Sequence, residues 1–105
     1  MIDKIQVSAI RKNLKLLYPN FKFKVSKNKN YVIVIIISGP LNLKDILMGK
    51  LTLTKYFINT IEDQNIKSVL TNIYDTVTDI KNQGFSFTES IRIGEYNKKY
   101  EQIIK

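Results

Sequence analysis

The sequence predicts an α+β fold: a small three-stranded antiparallel sheet with helices packed on one of its faces, in the order α-β-β-α-α-β-α. Three observations carry this reading. Residues 21–38 hold two strand-like runs joined by the turn residues KNKN. Residues 64–82 repeat apolar positions at helical spacing throughout. Residues 85–93, FSFTESIRI, alternate apolar and polar like a third half-buried strand. A chain of 105 residues suits a single domain, 1–105, with one core.

The first helix is expected over residues 8–18, SAIRKNLKLLY. Val7, Ile10, Leu14 and Leu17 share one face, Ser8 is a candidate N-cap, and Pro19 stops the helix. Arg11, Lys12 and Lys15 fall off the apolar face. In the first strand Phe21, Phe23 and Val25 point inward, which turns Lys22, Lys24 and Ser26 outward. The second strand, residues 31–38, is apolar on both faces and ends at Gly39-Pro40.

This two-sided pattern has a consequence. Either Tyr31, Ile33, Ile35 and Ile37 or Val32, Val34 and Ile36 must turn away from the helices. The sheet's open face is therefore expected to carry an apolar stripe rimmed by cations. Three readings stand side by side: the lysines beside the stripe guard against edge pairing, or they rim a partner interface, including a homodimer through the 31–37 strand, or the last helix covers the face.

Residues 42–60 read as helical, with Asn42 as cap and a break near Gly49. In the strong helix, Ile66, Val69, Leu70, Ile73, Tyr74, Val77 and Ile80 form the buried face. Asp63 suits its N-cap and Gly84 the position past its end. Phe85, Phe87, Ile91 and Ile93 line one side of the third strand, while Ser86, Thr88, Ser90 and Arg92 line the other. Glu89 lies among the apolar set and calls for a Lys or Arg from a helix. Tyr96, Tyr100, Ile103 and Ile104 fit a short terminal helix, with a strand over 99–104 as the alternative.

Composition narrows the chemistry. There is no cysteine and no histidine, which removes disulfides, thiol nucleophiles, imidazole bases and the usual zinc ligands. No phosphate-cradling glycine motif is present among only four glycines. Asp75 and Asp79 have the i, i+4 spacing of a cation site but read as solvent-side charges. The expectation is a protein that is not an enzyme, with no cofactor and no metal site. No apolar run approaches the ~20 residues of a membrane span, and the lack of cysteine fits a cytoplasmic protein.

Charge is the strongest positive signal. The net charge is +8, and through residue 31 eight basic residues stand against Asp3 alone. The rest of the chain is nearly balanced. Lopsided charge of this kind attracts polyanions or acidic protein surfaces. The candidate binding residues are Arg11, Lys12, Lys15, Lys22, Lys24, Lys27, Lys29, Tyr31, Arg92, Tyr96, Lys98 and Lys99. Phe21 and Phe23 are assigned to the core; Tyr31, Tyr96 and Tyr100 are assigned to the surface, where aromatics beside cations can stack on unpaired bases.

Residues 10–46, IRKNLKLLYPNFKFKVSKNKNYVIVIIISGPLNLKDI, resemble one of the large polyvalent protein-associated domains of phages and conjugative elements. The matching pieces are Arg11-Lys12, Leu14, Tyr18-Pro19, Phe21 to Val25 and Gly39-Pro40. Residues 84–96, GFSFTESIRIGEY, are similar to that family's terminal strand, arginine turn and helix. KNKN and VIVIII replace the family's Gly/Ser-rich hairpin and polar second strand, and residues 50–80 do not match. The resemblance implies a mobile-element protein that protects or assists incoming nucleic acid. By analogy, a free-standing chain resembles the small counter-defence inhibitors of phages, anti-CRISPR proteins among them. The implied partner is a host defence protein or nucleoprotein complex in the host cytoplasm, with direct nucleic-acid contact as a further expectation.

Overall fold

The computed structural model describes residues 4–43, 46, 52–83, 87–95 and 98–103. The chain forms α1 (Lys4–Leu17), β1 (Lys22–Asn28), β2 (Tyr31–Gly39), α2 (Lys55–Asn59), α3 (Gln64–Lys81), β3 (Thr88–Ile93) and β4 (Glu101–Gln102). The α+β class holds. The sheet is mixed rather than wholly antiparallel: β1 pairs with β2 antiparallel, whereas β3 and β4 pair with β2 in parallel.

The parallel strand follows from the crossover. A tight turn can only return a strand antiparallel; a parallel neighbour needs a long connection. Here α2 and α3 supply it. The 18 residues of α3 span about 27 Å at 1.5 Å per residue. The nine residues of β2 span about 30 Å at 3.3 Å per residue. One pass of α3 thus returns the chain to the end where β2 began, and β3 starts beside Tyr31.

With two neighbours on β2, its alternate residues separate cleanly. Val32, Val34 and Ile36 are fully buried against the helices, joined by Val25 from β1 and Ile91 from β3. From the other layer α1 contributes Val7, Ile10 and Leu14, and α3 contributes Ile66 through Ile80. Asp63 caps α3 as expected: its Oδ1 accepts from the backbone N–H of Asn65 at 3.0 Å and of Ile66 at 3.1 Å.

Several boundaries differ from the sequence reading. Helix α1 already runs from Lys4, so Ser8 lies inside it and caps nothing. Leu17, assigned to the core face, is 39% exposed at the helix end. Over 42–60 the described helix is only α2, capped by Thr54, whose side chain accepts from Phe57 N at 3.1 Å. Leu53 before it donates to Ile91 O at 2.7 Å, which satisfies that carbonyl on β3. The expected break at Gly49, the stop at Gly84 and the contribution of Phe85 lie outside the described residues.

The terminal helix is replaced by β4. Ile103 N donates to Gly39 O at 2.8 Å, extending the sheet along β2 beyond the point where β3 stops. Tyr100, assigned to the surface, is only 3% exposed, and its hydroxyl donates to Leu41 O at 2.7 Å. Burial pushes its pKa up to about 12. Among the described residues no helix is long and apolar enough to cross a membrane.

Candidate functional site

The face of the sheet opposite the helices is organised in three cross-strand rows, read from register. Asn28, Tyr31 and Thr88 form the first, Ser26, Ile33 and Ser90 the second, and Lys24, Ile35 and Arg92 the third. Along the middle column, Tyr31 is 51% exposed, while Ile33 and Ile37 are half-buried. The sequence left two choices for the outward residues of β2, and this is the odd-numbered set.

Ile35 departs from the column at 5% exposure although it faces away from the main core. Its register neighbours are Lys24 and Arg92, long side chains whose aliphatic stems can cover an apolar neighbour while their charged ends reach water. Arg92 Nε donates to Ser90 Oγ at 3.1 Å, which holds the side chain along β3. The Ser90 hydroxyl also meets Thr52 Oγ1 at 3.3 Å. Lys24 Nζ lies 3.4 Å from the Glu95 carboxylate, a pair left largely in solvent. Cations and small hydroxyls therefore border a narrow apolar strip.

The predicted basic residues do not form one patch. Lys24 stands on the open sheet face with Tyr31 and Arg92, whereas Lys22, also exposed, pairs with Ser38 across a register shift. Lys12 and Lys15 are exposed on α1, in the opposite layer. Lys27 is exposed near the hairpin end but shares register with Val32, on the helix side of the sheet. Lys29 occupies the turn with φ 55°. Lys98 and Lys99 are exposed just before β4. Tyr96 lies outside the described residues.

Arg11 connects the two layers and has a structural duty. Its guanidinium donates to Val25 O at 2.9 Å on β1, the edge strand of the sheet. Occupying an edge carbonyl blunts strand addition there. Lys4, Arg11 and Lys15 share one side of α1 by helical spacing, so this basic side of α1 faces the β1 edge. Among the described residues, Lys24 is the one member of the basic N-terminal group that meets a carboxylate within 4 Å.

Among the described residues the carboxylates do not converge. Glu89 accepts from Tyr74 OH at 3.4 Å and from Lys81 Nζ at 3.1 Å, both on α3, as a carboxylate on the helix side of a strand requires. Burial, and then the Glu89 charge, raise the Tyr74 pKa above its ordinary value. Asp75 pairs with Lys55 at 3.9 Å at the surface. Among the described residues, no group of three or more acidic side chains is placed to hold a metal ion. Among the described residues, an apolar groove between Leu17, Tyr18, Phe21, Pro40 and Val69 is lined by no charged side chain.

Glu95 is the site residue that sequence reasoning missed. It becomes a neighbour of Lys24 only because β3 runs parallel to β2, and no local pattern records that. Comparisons with protein-family models, curated proteins and solved structures find no match.

The exposed lysines permit a direct test of the electrostatic reading. Replacing Lys22, Lys24, Lys27 and Lys29 together by Gln should leave the circular dichroism and the melting cooperativity intact, because all four side chains are exposed. The slope of log affinity for a polyanion against log salt should flatten by about 0.7–0.9 for each phosphate that the variant no longer neutralises. An unchanged slope would show that this charge serves solvation alone.

Proposed function

We propose that the protein is a non-catalytic binding protein of a mobile element: a counter-defence inhibitor that occupies a host nuclease or nucleoprotein effector in the host cytoplasm, in the manner of small anti-CRISPR proteins. The observation that supports it most is the open sheet face, with half-exposed Tyr31 on a narrow apolar strip edged by Lys24 and Arg92. Apolar centres with polar, charged rims are the anatomy of protein interfaces. The phage-domain resemblance of residues 10–46 supplies the biological context.

Occupation, rather than turnover, follows from the residue types. Without histidine or cysteine, a nucleophile would need a carboxylate or lysine to activate it. Glu89 instead spends its oxygens on Lys81 and Tyr74. Titration of a candidate effector complex tests the reading. Inhibition should saturate near one equivalent per site and reverse on dilution. It should survive Asp75→Asn with Asp79→Asn. Charge reversal at Lys12 with Lys15, or along Lys22 to Lys29, should weaken it; Arg11 is a poorer probe because it also holds β1. Full inhibition at a small fraction of an equivalent, persisting after the protein is removed, would overturn the proposal.

A further inference from the structure

The open face carries more specific chemistry than a generic rim. We infer that it is a platform for unpaired nucleic acid, with a base stacked on Tyr31 and the phosphate backbone running along β2 toward Lys24 and Arg92. This rests on the proposed function and names the chemistry of its binding face: the guide or displaced strand of a nucleoprotein target.

Four observations lead there. Tyr31 is half exposed at the hairpin end of the central strand, and its register neighbours are the short polar residues Asn28 and Thr88. A ring so flanked is open to a planar partner. The next row adds the Ser26 hydroxyl, which can donate to or accept from base edges and sugars, while buried Ser90 anchors Arg92. The cations Lys24 and Arg92 lie four residues farther along β2 than Tyr31, about 13 Å at ~3.3 Å per residue. A strand laid along β2 thus reaches aromatic, hydroxyl and cation in turn, the combination that holds single strands without reading sequence. Finally, the excess positive charge of the N-terminal third suits a polyanion. A duplex fits less well, since its bases are already stacked and this face presents no helix to enter a groove.

One group opposes a phosphate at this site. The Glu95 carboxylate sits beside Lys24 and offsets part of its charge. Removing it should therefore improve binding, which a merely structural ion pair would not predict.

The test measures fluorescence anisotropy of a labelled ~12-nucleotide single-stranded DNA, a length within the range of single-strand sites. Blunt duplex of equal length and heparin serve as comparisons. Tyr31→Ala should weaken single-strand binding about tenfold, the lower part of the range for aromatic–base stacking, and leave heparin binding unchanged. Tyr31→Phe should retain it. Glu95→Gln should tighten it several-fold. Lys24→Gln with Arg92→Gln should weaken both ligands and lower the salt slope. The inference is overturned if Tyr31→Ala binds as the wild type does, if duplex and single strand bind alike, or if Glu95→Gln weakens binding. If no oligonucleotide binds at low salt while an effector still titrates to one equivalent, this platform is wrong and the inhibitor reading stands. If single strands bind as described and no effector is inhibited, the reverse holds.

Discussion

Val34→Lys should abolish the fold, while Ile33→Lys, one residue away on the same strand, should leave a folded and more soluble protein. Val34 is completely buried between Val25 and Ile91 beneath the helices. A lysine there must lose its charge or open the core. Neutralising a fully buried ammonium costs up to 3–5 pKa units, or about 4–7 kcal/mol. Small domains hold only about 5–15 kcal/mol in total. Ile33 faces the other way, between Ser26 and Ser90, where a lysine can extend to water past two small side chains. Urea denaturation followed by circular dichroism, with sedimentation of the folded variant, reads both outcomes. Unfolding by both substitutions would mean that β2 is enclosed on both sides. The same pair examines the homodimer expected through residues 31–37: an association that uses the open face should be lost in Ile33→Lys.

The contrast between Val34 and Ile33 also marks where the sequence was readable. The alternation in β1 assigned Phe23 and Val25 inward and Lys24 outward, and the fold agrees, because a half-buried strand writes its orientation into every second residue; at Lys22 a register shift interrupts the pattern. Helix α3 and its Asp63 cap were equally plain, since both signals are local. Strand β2 was ambiguous for a physical reason: apolar residues on both faces announce a central strand but do not say which face meets the helices. The direction of β3 was invisible, because it depends on the length of the α2–α3 crossover relative to β2. Tyr100 misled for a similar reason. Its lysine neighbours suggested a surface, whereas its hydroxyl is satisfied by Leu41 O, 59 residues away in sequence. The candidate site divides in the same way. Tyr31, Lys24 and Arg92 were each legible as outward residues; their assembly around Ile35, and the arrival of Glu95, required the tertiary fold.

Gly94→Ala should be among the most damaging single substitutions outside the core, although it adds one methyl group. Gly94 ends β3 with φ +74°, in the left-handed region where a Cβ costs about 1–2 kcal/mol. The added Cβ would also stand 2.6 Å from Tyr100 N and 3.2 Å from the Lys99 carbonyl carbon. These are backbone atoms, so no side-chain rotation can relieve the clash. Gly94 N donates to Ile36 O at 2.9 Å, and Glu95 N and Lys98 O then bond at 2.8 Å. The chain is therefore held close on both sides of the clash. Relief requires moving the Tyr100 segment, which threatens its hydroxyl bond to Leu41 O and the pairing of β4 with β2. Strain and overpacking together suggest a loss of about 3 kcal/mol. Gly94→Asn separates the two causes. Asparagine tolerates positive φ better than alanine but brings the same Cβ. If the clash with Tyr100 dominates, Asn and Ala should be equally harmful; if backbone strain dominates, Asn should recover about 1 kcal/mol. Denaturant midpoints for the three proteins decide between these causes. A Gly94→Ala variant within about 0.5 kcal/mol of the wild type, the range of ordinary surface changes, would mean that the turn does not bring Gly94 against Tyr100. The stake extends to the open face, because Gly94 directly precedes Glu95. A turn displaced here would separate that carboxylate from Lys24 and alter the charge that an incoming phosphate meets.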